Sequence, residues 1–166
     1  MVTKIYGDTG VDKVVDGAIT SSDLASGVGG KVLQVVNAQY GTLASSTSST
    51  YADTGLTATI TPSFTSSKIL IIVNHTGLAK VTNSTGVNLK LVRNSTDLYV
   101  FDLDIGEQYT TAWNVVGGSG TSYLDSPSTT SAVTYKTQFA SNNNSPTVYT
   151  QINNSISTIT LMEIAG

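Results

Sequence analysis

Thr and Ser occupy 47 of the 166 positions in this chain, 26 and 21 respectively, and 11 more are Asn. That supply of short polar side chains limits the backbone it can adopt. Thr suits a pleated, half-buried surface and Ser and Asn suit turns, while the strong helix formers Glu, Lys, Arg and Met are scarce. Charged residues make up only 11%, against roughly 25% in ordinary globular domains, so hydroxyls and amides keep the surface wet. The expected fold class is all-β.

Several function classes lose ground on composition alone. A net charge of −3 offers no basic stripe for a run of phosphates, so nucleic acid is not an expected partner. No apolar run approaches the roughly 18 residues a bilayer span needs, and the N-terminus MVTKIYGDTG lacks the apolar region of a secretion signal. No membrane insertion is expected, and the chain reads as one made in the cytoplasm. Cys is absent, which removes disulfides, thiolate nucleophiles and thiolate metal ligands. Stability has to come from packing, within the chain or between chains.

Residues 1–30 differ from the rest. They hold Asp8, Asp12, Asp16 and Asp23, with Ile5, Tyr6, Val14, Val15, Ile19 and Leu24 as their main apolar anchors, and they end in Gly27-Val28-Gly29-Gly30. The apolar spacing is too irregular for a helix, and the segment is too short to own a core. It reads as an extended docking segment and hinge, followed by a single domain over 31–166.

From Lys31 onward the periodicity is that of strands. LTATITP alternates Leu56, Ala58 and Ile60 with threonines, and KILIIVNHT holds five consecutive apolar residues, Ile69 to Val73, as expected of a central strand covered on both faces. VNLKLVR and LYVFDLDI, separated by Asn94-Ser95, form a hairpin pattern. YTTAWNVV leads into Gly117-Gly118-Ser119-Gly120, read as a flexible loop, and VTYKTQF and STITLMEI supply the last long strands. Eight or nine strands separated by turn residues describe an antiparallel β-sandwich. Its expected core contains Ile69, Ile71, Val73, Leu89, Leu91, Val133, Tyr135, Phe139, Ile159 and Leu161.

The phrases GKVLQVV (30–36), TGLTATITPSFTSSKILIIV (54–73), the hairpin strand LKLVR (89–93), LDSPSTTSAVTYKTQF (124–139) and STITLMEI (157–164) together resemble the C-terminal domains of bacteriophage fibre and appendage proteins, especially those from phages of marine and cyanobacterial hosts. The resemblance spans residues 30–166, and DGAITSSDLASG (16–27) is similar to the linkers that precede such domains. It implies a trimeric, jelly-roll-like head akin to the C1q and tumour-necrosis-factor fold, held on the virion by residues 1–30. It brings no catalytic residue and no cofactor. The short chain leaves a capsid decoration or head-fibre protein as the structural alternative to a receptor-binding fibre.

Candidate chemistry is sparse. His75 is the only histidine, follows the most apolar strand and lacks a G-x-S-x-G elbow, so a satisfied structural histidine is the simpler reading. Asp102, Asp104 and Glu107 in FDLDIGE would converge on a hard cation such as Ca²⁺ if the two aspartates shared a strand face and Gly106 turned the chain; the plain reading is a solvated face. A surface-glycan depolymerase using Asp102 and Glu107 is the enzymatic alternative. For contact with a host glycan or protein the candidates are Tyr51, Trp113, Tyr149 and Asn143, aromatic rings and an amide set among the Ser/Thr/Asn segments 41–53, 117–122 and 141–147.

Overall fold

In the computed structural model, which describes residues 31–110 and 112–166, the chain from Lys31 builds ten strands and one short 3-10 turn. The strands are β1 (Val32–Tyr40), β2 (Ala44–Ser46), β3 (Ala52–Ile60), β4 (Lys68–Lys80), β5 (Val87–Arg93), β6 (Thr96–Ile105), β7 (Asn114–Asp125), β8 (Val133–Ser141), β9 (Val148–Thr150) and β10 (Ser157–Ile164). The anchoring candidates Ile5, Tyr6, Val14, Val15, Ile19 and Leu24 lie outside the described residues.

All pairings are antiparallel, and they form two sheets. In the first, the order is β1-β10-β4, with β7 on the far side of β4; the C-terminal end of β4 also pairs β9, which pairs β2. The second runs β3-β8-β5-β6. The alternation expected of half-buried strands is plain in β10, whose burial switches at every residue from Ser157 to Ile164. Inward rows cross the first sheet as Val36–Leu161–Ile71–Tyr123 and Ala38–Ile159–Val73–Thr121. They meet Leu56, Ala58, Ile60, Leu91, Val133 and Tyr135 from the second sheet in one core cluster. A second cluster of Leu78, Val87, Leu89, Ile105, Phe139 and Val148 fills the other end. All ten expected core residues are buried, each contributing about 1.5–3 kcal/mol by removal from water.

The expected β5–β6 hairpin is present, with Asn94 at φ 52 in its turn, a left-handed conformation that Asn tolerates. Three expectations are corrected. The glycine run 117–120 is not a loop but part of β7. A Cβ at Gly118 would strike the His75 carbonyl, and Gly117, at φ 102, sits where the β4–β7 register shifts, so these glycines allow a close approach and a bulge. Within YTTAWNVV, read as a strand pattern, Tyr109, Thr110, Ala112 and Trp113 lie outside any strand, and β7 begins at Asn114. β4 is central in its sheet, yet along its apolar run only one face is covered by the described residues: Ile69, Ile71 and Val73 point inward, while Leu70 is half-buried and Ile72 is 41% exposed.

Candidate functional site

His75 lies inside β4 and is fully buried. Its Nε2 is 2.9 Å from Thr137 Oγ1, which is 2.7 Å from Thr54 Oγ1. Its Nδ1 is 3.0 Å from Thr150 Oγ1 and 3.3 Å from Ser157 Oγ. Ser157 in turn accepts from the Thr76 backbone N–H and the Gln151 amide. Every partner of the ring is a hydroxyl. Burial therefore acts unopposed and pushes its pKa down to about 4, which keeps the imidazole neutral. A serine does stand beside it, but Ser157 is buried, and the third member of a triad, a carboxylate on the ring, is not among these partners. This histidine joins β4, β9 and β10 to β8, and through Thr137 to β3.

The carboxylates of FDLDIGE do not gather. Asp102 accepts from Ser119 Oγ of β7 at 2.6 Å, and Asp104 accepts from the Asn142 amide at 2.9 Å. Asp104 is itself at φ 56 and the β5–β6 register shifts nearby, so the alternation that would have set the two side by side is broken. Among the described residues no three His, Cys, Asp or Glu side chains are placed to hold a metal ion. The alternative in which Asp102, Asp104 and Glu107 converge on Ca²⁺ has no such grouping among the described residues, whose placement fits the plain reading of a solvated face.

The aromatic candidates divide. Trp113 is 56% exposed and its ring lies 6.0 Å, centroid to centroid, from that of half-buried Tyr149, tilted by 55°. Tyr149 is set by register: it pairs Ser45 on one side and Ala79 on the other, and Ala79 pairs Val115, so these four form one row on the outer face of the first sheet. Tyr109, outside the expected group, is 79% exposed and its carbonyl accepts from the Asn83 amide at 3.3 Å. Asn143 donates to the Ser84 carbonyl at 2.9 Å, and the Ser84 N–H donates to the Gln108 carbonyl, so the segments carrying Asn143 and Tyr109 are tied together. Lys80, fully buried, donates to the carbonyls of Thr82 and Gln108 and closes the same end of the sandwich. Tyr51 stands apart, with the Lys90 ammonium 4.5 Å from its ring centroid; burial, then Asp97 and Asp104, raise its hydroxyl pKa.

The two outer faces differ in chemistry. On the second sheet Lys136 and Gln138 both donate to Asp53, Lys90 pairs with Asp97, and the Thr59 and Thr134 hydroxyls meet at 2.8 Å. On the first sheet a cross-strand row reads Val35–Met162–Leu70–Leu124, with Ile72 one step along β4. Val35 is 56%, Leu124 51% and Ile72 41% exposed. The next row is Asn37–Thr160–Ile72–Ser122, where the Asn37 amide donates to the Thr160 hydroxyl at 2.8 Å. Lys68, opposite Ile164 at one end of β4, is the charged residue at the margin of these rows.

The chain matches no family model and no curated protein. What each site can do is set by its own groups: a buried neutral histidine that holds sheets together, dispersed carboxylates, an exposed tryptophan beside a half-buried tyrosine with amides at the same end, and an apolar face with Lys68 at its margin.

Proposed function

We propose that the chain is a non-enzymatic structural module of a phage particle, a homotrimeric fibre or appendage whose head meets the host cell surface. The observation that carries this reading is the path of the chain between sheets. Among the eight long strands every connection except β5–β6 passes from one sheet to the other, giving β1-β10-β4-β7 against β3-β8-β5-β6. That wrapping supports an eight-stranded jelly roll, the fold implied by the resemblance of residues 30–166 to phage fibre domains. The Trp113–Tyr149 pair supports a recognition role, because an exposed indole backed by a half-buried phenol ring, with amides nearby, suits sugars and loop peptides alike. Residues 1–30 would join the head to another particle protein.

The deciding experiment is to locate the protein in imaged particles and to add soluble protein to host cells before infection. Tail or appendage placement with competition for adsorption is the expected result. A regular capsid lattice with no effect on adsorption would replace receptor binding by capsid decoration. Release of reducing ends from host polysaccharide would overturn the non-enzymatic reading.

A further inference from the structure

The outer face of the first sheet holds a contiguous apolar surface with nothing over it among the described residues. Val35, Met162, Leu70 and Leu124 lie side by side across β1, β10, β4 and β7, and Ile72 extends the patch along β4. This is not what the chain does where a sheet meets water: the outer face of the second sheet carries Asp53, Lys136, Gln138, Lys90 and Asp97 in cross-strand pairs. Polar residues are abundant, so an apolar row in one place is a property of that place.

We propose that this face is the contact surface between copies of this chain, with Val35, Leu70, Ile72, Leu124 and Met162 at its centre. Three observations select a second copy as the occupant. Among the described residues the face is neutral apart from Lys68 at its margin, so two copies meet on it without like-charge repulsion and no oppositely charged partner is called for. The paired charges sit on the other sheet, where they stay hydrated when copies join through the first. The Asn37 amide at the edge of the patch is already satisfied by Thr160, so covering it leaves no orphan donor. The aromatic pair lies beside Ala79, nine residues along β4 from Leu70 and, at about 3.3 Å per residue, roughly 30 Å away, which leaves it outside the contact. The trimeric reading supplies only the number of copies; the position of the contact stands on the rows themselves.

Because the chain has no cysteine, one introduced thiol reports burial directly. Leu124→Cys and, as control, Thr59→Cys on the outer face of the second sheet are both exposed sites in a single chain. In the full-length protein at micromolar concentration, maleimide should label Leu124→Cys at least about tenfold more slowly than Thr59→Cys, and the difference should vanish on dilution to one chain. Leu124→Asp should lower the mass seen by light scattering to the single-chain 17.3 kDa with an unchanged far-UV spectrum, while Thr59→Asp should not. Equal labelling of the two thiols in a multimer would overturn the proposed face and leave the trimer standing. A wild-type chain that scatters as one copy would overturn both. Protection of Leu124→Cys only in assembled particles would assign the face to another particle protein and refute the proposal.

Discussion

The Tyr135 hydroxyl donates to the Asp125 carboxylate at 2.6 Å, linking β8 of one sheet to β7 of the other. Arg93 Nη1 approaches both oxygens of the same carboxylate at 2.9 Å, so a buried acid is held by one neutral and one charged donor. Tyr135→Phe removes the neutral donor and leaves the acid under-satisfied. The expected loss is about 1–3 kcal/mol in a urea titration, and a variant as stable as wild type would mean that the sheets are not joined there.

The hydroxyl cage of His75 sets the acid response. Its folded pKa of about 4 is below the unfolded 6.5, so between those values the unfolded chain binds a proton that the folded chain refuses. Stability should therefore be undiminished at pH 7 and fall as pH drops below about 6.5, by about 3 kcal/mol at pH 4. Stability curves for wild type and His75→Gln should differ in slope in that window; parallel curves would exclude His75 as the titrating group.

Glu163 governs a lower window. Burial works to raise its pKa, but donors outweigh it: Gln34 Nε2 and the Ser63 N–H, both at 2.6 Å, and the Ser63 hydroxyl hold the carboxylate below its usual 4.5. A lowered folded pKa means that the stabilisation is present above pH 4.5 and lost as pH falls further. Glu163→Gln should destabilise at pH 7 and reduce the dependence below pH about 4.5, part of which Asp53 still supplies because, against burial, Lys136 and Gln138 lower its pKa, while leaving the His75 slope intact. Proteolysis after Phe64 should also speed up, since Glu163 ties Ser63 to β10 and its partner Gln34 holds the Thr61 carbonyl.

Gly55 marks a bulge in β3, at φ 90, where a Cβ would enter the Tyr40 ring. Gly55→Ala should cost more than about 1 kcal/mol, and part of that loss should disappear in a Tyr40→Ala background. An identical loss in both backgrounds would assign the whole effect to backbone strain.

Much of this fold is legible in local sequence patterns. Alternation marks the inward set from Ile69 to Leu161, and Asn94-Ser95 marks the hairpin, because both depend on neighbours within a few residues. The features that escape such patterns depend on partners far along the chain. The glycines at 117–120 have flexibility as their local meaning, whereas their role is to let β7 pass close to the His75 carbonyl. The run Ile69 to Val73 does carry two apolar faces, but one of them is covered by nothing among the described residues. Asp102 and Asp104 are separated by a bulge and by Ser119 and Asn142, none of which their spacing reveals. Trp113 and Tyr149 stand out by their neighbourhoods, and only the pairing of β9 and β7 on either side of β4 brings them together; Tyr51, with the same kind of neighbourhood, lies against Lys90 instead.

The first strand finds its sheet neighbour in the last, Val36 opposite Leu161. At roughly 5–20 residues per second, a ribosome needs about 6 to 23 s to pass from the end of β1 at Tyr40 to the start of β10 at Ser157, and for that time β1 has no edge to pair with. Sheet closure waits for residues 157–164 to emerge, and a topology this non-local folds in about milliseconds to seconds even then. The nascent chain thus carries KVLQVV unpaired until its partner strand is made, whereas KILIIV can meet β7 once residue 125 has emerged, so the β1 edge is the one open longest to wrong pairing.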